Sequence, residues 1–177
     1  MPSRLIIPAT ILLFSSLLQA QDKEPGGDFI RLVDGLDEPE EFYCFDLAGW
    51  GAHLQLDDPL QTHTCKGRGG QDQMFHFDGN RLKVSLYDRC VQVAGSSGVT
   101  LAGSAVLARP CSDNPLQDMA LNDSGQIQVG ETDYCLGAGE DSAEASGPSH
   151  MWRTLVTVKC DSAQAALATW QIGMDSD

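Results

Sequence analysis

Positive charge is scarce in this chain: 11 Lys and Arg stand against 25 Asp and Glu, a formal net charge of −14. A surface with that balance repels polyanions, which argues against a nucleic-acid partner. Long apolar runs are missing after the N-terminal segment, so no further stretch reads as a membrane span. No two cysteines form a C-x-x-C pair, which argues against a thiolate metal site. The signatures G-x-S-x-G and H-E-x-x-H and the glycine-rich phosphate loops are absent, and the 4 His are dispersed. The chain therefore reads as a non-enzyme without cofactor or resident metal. The calcium-loop pattern D-x-[DN]-x-[DN]-G is missing too, so the acidity is read as solubility. Amphipathic helical stripes are also lacking, which leaves β structure.

What is present begins with an export signal. Arg4, the apolar run LIIPATILLFSSLL and the small residue closing Leu18-Gln19-Ala20 make residues 1–20 a secretory signal. The expected product is secreted or periplasmic. Residues 21–28 (QDKEPGGD) read as a flexible lead-in, and residues 29–177 as one domain.

Within that domain the chain repeats itself. Arg81–Gln92 (RLKVSLYDRCVQ) returns as Gln126–Gly137 (QIQVGETDYCLG), with a looser copy upstream around Phe29–Val33 and Tyr43–Asp46. Cys44, Cys90 and Cys135 are spaced by 46 and 45 residues, and Cys65, Cys111 and Cys160 by 46 and 49. Such a period marks stacked or radially arranged units, here approximately 29–75, 76–119 and 120–173. Phe75, Met119 and Trp170 hold equivalent places and read as core. Arg81–Val84, Gln126–Val129 and Leu155–Val158 read as strands, and DGN at 78–80 and NDSG at 122–125 as hairpin turns. Residues 34–41 form an acidic insert, 139–149 a polar loop, and 163–169 a loop leading into the Trp170 strand. Trp152 and Met151 precede a strand and read as structural.

Six cysteines in an exported chain allow many pairings. The threefold phase favours one local bridge per repeat: Cys44–Cys65, Cys90–Cys111 and Cys135–Cys160. Each closes a loop worth about 3 kcal/mol by chain entropy. Three all-β units of about four short strands each, about twelve in all, bury their faces most economically by closing on one another. The expected fold is a β-trefoil.

The motifs resemble the repeat of the ricin B-type lectin family, which pairs a C-[L/V]-D-like start with a Q-x-W end. The starts here are Cys44-Phe45-Asp46, Cys90-Val91-Gln92 and Cys135-Leu136-Gly137; the ends are Gln73-Met74-Phe75, Gln117-Asp118-Met119 and Ala168-Thr169-Trp170. The resemblance implies a shallow site for galactose-type sugars. Carried onto the first repeat, its positions are Asp46, His63, Asp72 and Gln73. His63 stands where an indole or phenol is usual, and Asp72 replaces an amide. Trp50, in the small-residue loop Ala48–Ala52, is the candidate for the missing stacking ring. The second repeat has Gln92 and Arg109 at the first two of these positions, and the third has Gly137 and Val158. The expectation is a lectin-like protein with one weak sugar site in the first repeat and a glycan or glycoprotein as partner. The other reading is a trefoil scaffold for protein contacts.

Overall fold

The computed structural model describes residues 26–67 and 70–173. The signal at residues 1–20 and most of the lead-in lie outside them. Four strands recur three times. The first set is β1 (Ile30–Leu32), β2 (Tyr43–Asp46), β3 (Gln61–Thr64) and β4 (Phe75–Asp78). The second is β5 (Arg81–Val84), β6 (Arg89–Val93), β7 (Val106–Pro110) and β8 (Met119–Leu121). The third is β9 (Ile127–Val129), β10 (Tyr134–Ala138), β12 (Gly147–Lys159) and β13 (Trp170–Ile172), with a short β11 (Ala143–Ala145) added against β12.

All named pairings are antiparallel, in a nine-stranded sheet ordered β13-β1-β2-β3-β12-β10-β9-β8, with β11 beside β12 off that path, and a four-stranded sheet β4-β5-β6-β7. Single bridges stitch the two together: Pro59 to Leu107, Ala105 to Val156 and Asp28 to Phe75. Closing the sheets on each other leaves few open edges. The architecture is an all-β trefoil of three repeats.

The core follows the repeat. Ile30, Leu82 and Ile127 are equivalent and buried, as are Leu32, Val84 and Val129. The residue after each first cysteine (Phe45, Val91, Leu136) is buried as well. Alternation forces this, because successive strand side chains point to opposite faces. Phe75, Met119 and Trp170 open β4, β8 and β13 and are all in the core, as their shared phase requires. Phe45 receives Phe75 and Trp170 edge-on at 5.7 and 4.6 Å between ring centroids, a geometry the ring quadrupoles favour. The Trp170 indole N–H donates to the Leu136 carbonyl at 2.8 Å, so the buried ring leaves no orphan donor.

The three disulfides join Cys44 to Cys65, Cys90 to Cys111 and Cys135 to Cys160, at sequence separations of 21, 21 and 25. Each ties the two central strands of its own repeat. Bridges of this kind belong to oxidising compartments, which fits an extracellular or periplasmic setting.

Two loop readings are corrected. Much of 139–149 is not a loop: β11 and the start of β12 continue the sheet as a hairpin, so Trp152 and Met151 lie inside a strand. Residues 163–169 are not plain loop either, since α1 (Ala165–Ala168) forms a helical turn before β13. Alanine's helix propensity wins there over the repeat phase.

The acidic insert is pinned through Asp37. Its carboxylate accepts from Tyr43 Oη at 2.8 Å, Arg153 Nη2 at 2.7 Å and Ser142 Oγ at 2.5 Å. Burial works against this carboxylate, but the donors from Ser142, Arg153 and Tyr43 together hold it well below the usual range. Arg153 also donates to the carbonyls of Gly139 and Glu140, so one guanidinium fastens the insert to the hairpin base.

Candidate functional site

The register of three strands builds the site. His63 on β3 lies opposite Cys44 on β2 and Trp152 on β12. The next rung is Asp46, Gln61 and Thr154. Directly opposed residues share a face, so Asp46, Gln61, His63, Trp152 and, two residues before it, His150 all belong to the outer face of this sheet. The buried alternates Phe45, Thr62 and Arg153 belong to the other face.

Asp46 is completely buried under a polar lid. The Gln73 amide donates to its Oδ2 at 2.7 Å, the Lys66 ammonium donates to the same atom at 2.8 Å, and Gln61 makes a long contact of 3.5 Å to Oδ1. Lys66 also donates to Asp72 Oδ2, so one ammonium bridges two carboxylates. Burial pushes the Asp46 carboxyl up to about 6 against the pull of Lys66, and the Asp72 charge adds to the rise. For Lys66 burial acts downward, but Asp46 and Asp72 together raise it above its ordinary value. Lys66 is the residue sequence reasoning missed; a lone lysine after Cys65 carries no signal of the carboxylates it reaches.

Gln73 acts as a clasp. Its carbonyl accepts from Lys66 N at 2.7 Å, and its amide also donates to the Thr64 carbonyl at 3.2 Å. It closes the loop between the second cysteine and β4 while holding Asp46.

Above this lid lies an open cleft of about 870 Å³. Its lining includes Gln61, His63, Lys66 and Asp72 in the floor and Trp50, Tyr87, His150 and Trp152 around it. Trp50 is 71 % exposed. The loop presents it because Gly49 turns the chain with φ 88°, and a Cβ there would meet the His53 carbonyl at 2.2 Å. Backbone bonds from His53 N to Trp50 O and from Gln55 N to Ala48 O hold that turn. His63 packs edge-on against His150 at 5.7 Å, and burial pushes the His63 imidazole down, favouring its neutral form.

Of the five sequence-derived residues, Trp50, His63 and Asp72 line the cleft together. Asp46 and Gln73 sit beneath it and hold its floor. Trp152 and His150 join from the third repeat, with period-two alternation over His150, Trp152 and Thr154 as their only sequence signal. The acidic insert contributes none of the lining.

The other repeats lack this arrangement. In the second, Gln117 makes the same three bonds, from Ser112 N and to the Pro110 carbonyl and Gln92 Oε1, but Gln92 and Ser112 carry no charge. In the third, a Cβ on Gly137 would meet both Val158 methyls within 2.9 Å, so a side chain where Asp46 stands would force Val158 to shift. Among the described residues, no group of three or more His, Cys, Asp or Glu could hold a metal ion, and no helix is long and apolar enough to cross a membrane.

No protein-family model matches the chain, and no curated protein matches its sequence. Solved structures do. The solution structure of the mdaA-1 domain superposes with TM-score 0.64 at 15 % identity, over 85 % of this chain and 90 % of that one. The β-trefoil lectin of the Vibrio vulnificus hemolysin/cytolysin, with N-acetyl-D-lactosamine bound, matches with TM-score 0.56 at 14 % identity, over 85 % and 95 %. The C-half of the earthworm R-type lectin, in complex with GalNAc, matches with TM-score 0.55 at 14 % identity, over 84 % and 98 %. At such identities the likeness is one of fold alone, a β-trefoil.

Proposed function

We propose that the chain is a secreted or periplasmic carbohydrate-binding protein of lectin type, with one weak site in the first-repeat cleft. Its partner is a glycan or glycoprotein. The observation that carries this reading is Trp50, an indole 71 % exposed beside a floor that offers Gln61, His63 and Asp72. A pyranose has an apolar C–H face for such a ring and hydroxyls in its plane for such a floor. In this reading Trp50 stacks on the sugar, Asp72 and Gln61 take its hydroxyls, and His63 closes one side. Asp46 and Gln73 act indirectly, by holding Lys66 and Asp72. Bound sugars on two similar trefoils support the reading without specifying this chain's ligand.

The test is calorimetric titration of the oxidised protein with galactose, N-acetylgalactosamine, N-acetyllactosamine and mannose. Trp50→Ala is the control, because its exposed ring can be removed without disturbing the core. Saturable binding that weakens about tenfold in Trp50→Ala supports the reading, a loss of about 1.4 kcal/mol. Absence of binding to any sugar at millimolar concentration overturns it.

The burial of Asp46 favours a second reading. A carboxylate already occupied by Lys66 and Gln73 is withheld from a ligand, while an exposed Trp is also a protein-interface anchor. Under that reading the trefoil is a scaffold for protein contacts, and Trp50→Ala weakens capture of a protein partner whose glycans have been removed.

A further inference from the structure

We infer that the cleft takes an uncharged oligosaccharide of three or more pyranose units, laid across rings contributed by all three repeats. This rests on the carbohydrate reading above. Three observations carry it. The rings come from separate places: Trp50 from the loop after β2, Tyr87 from the turn between β5 and β6, and Trp152 from β12. A single pyranose stacks on one such ring and leaves the others without a partner. The cleft volume, about 870 Å³ against about 340 Å³ for each of two further cavities, is near the upper end for small-molecule sites. A ligand of one ring leaves most of it filled with water.

The third observation is charge. Among the described residues of the lining, Lys66 is the one lysine or arginine, and Asp46 and Asp72 already share it. Burial favours the neutral form of His63. The chain carries a formal charge of −14. An anionic glycan meets a net repulsive field there and, among the described residues that line the cleft, finds no unshared lysine or arginine to pair with. Uncharged hydroxyls instead find acceptors in Asp72 and Gln61. The long β11–β12 hairpin, which the other two repeats lack, is what brings Trp152 and His150 to the site; the extended cleft is a consequence of that insertion.

The experiment is a length series. The full chain with its disulfides formed is titrated calorimetrically with β-linked glucose, mannose, galactose and N-acetylglucosamine oligomers of one to six units, and with uronate oligomers of the same lengths. In one neutral series affinity rises about tenfold or more between one and three units, as successive rings engage. Tyr87→Ala and Trp152→Ala each lower trisaccharide affinity by about tenfold. Tyr87→Phe and Trp152→Phe, which keep a ring, restore most of it, and thermal melts exclude unfolding as the cause. Equal affinity for monomer and trimer, or tighter binding of the uronates, overturns the inference and leaves the sugar-binding reading standing. Absence of saturation by every series removes both.

Discussion

The first and second repeats build the same clasp around different chemistry. Gln73 and Gln117 each accept from the backbone N–H after the second cysteine, donate to the carbonyl before it, and donate to the residue two after the first cysteine. In the second repeat that last partner is Gln92, and a neutral amide needs nothing more. In the first it is Asp46, and a buried carboxylate needs a cation, which Lys66 supplies. The glutamine that looks like a sugar contact also has a structural part, because it makes the same bonds in the second repeat, where the charged partners are missing. What distinguishes the first repeat is the charged trio Asp46, Lys66 and Asp72, together with the rings above it.

The largest effects test whether the frames are alike. Replacing Cys44 and Cys65 by Ser, or Cys90 and Cys111, removes bridges of the same separation, 21 residues. Each replacement is expected to cost about 3 kcal/mol in urea unfolding, equal within experimental error. A markedly larger loss for one pair would mean that its repeat is strained or carries the folding nucleus. Next comes the difference itself. Lys66→Ala leaves two buried carboxylates without their cation and is expected to cost about 2–3 kcal/mol. Ser112→Ala at the equivalent place changes stability by no more than about 0.5 kcal/mol. If Asp46→Asn fails to recover most of the Lys66→Ala loss in a double-mutant cycle, the charged lid is not what sets the first repeat apart.

The clasps themselves rank third. Gln73→Ala frees Lys66 N and strands the Thr64 carbonyl and part of Asp46, both in buried residues, at a cost of about 2 kcal/mol. Gln117→Ala is expected to cost about 1 kcal/mol, since Gln92 is half-buried and Ser112 exposed, and water can replace the lost bonds. Guanidinium melts of the two variants read the gap directly. A reversed order would show that the amide pair contributes more than the charged one.

How much of this was legible depends on how local each signal is. Cysteine phase and the trio Phe75, Met119 and Trp170 announced the trefoil, because every unit must bury an equivalent large residue against its neighbours. Trp50 in its small-residue loop announced one large ring, without saying whether it is exposed or fills the barrel cap. Lys66 was invisible because nothing in a lone lysine says that its ammonium reaches back to Asp46, twenty residues earlier, and forward to Asp72. Trp152 was invisible for a stronger reason. Its place opposite His63 is set by strand register across 89 residues of chain, and the glycine- and serine-rich stretch before it resembles a loop. Local propensity carries no information about that pairing.

Titration gives the finest test, because Gln92 does not ionise and Asp46 does. Burial raises the Asp46 pKa to about 6, so the folded state holds this proton more tightly than the unfolded chain. Its contribution to stability is fully present below the unfolded value near 4 and is lost as pH rises through about 6. Between pH 4.5 and 6 the wild type should therefore lose about 1.5 kcal/mol relative to Asp46→Asn. Asp37 acts with the opposite sign and in another window, since its depressed pKa gives stability above about pH 4 that disappears on acidification. His63, also depressed, loses its contribution as pH falls below about 6.5, but it is common to both proteins and cancels in the difference. Gln92→Ala in the second repeat should show a constant offset across the same range. A wild-type minus Asp46→Asn difference that is flat from pH 4.5 to 6 would mean that Lys66 keeps Asp46 ionised throughout, and that the two clasps differ in composition but not in their response to protons.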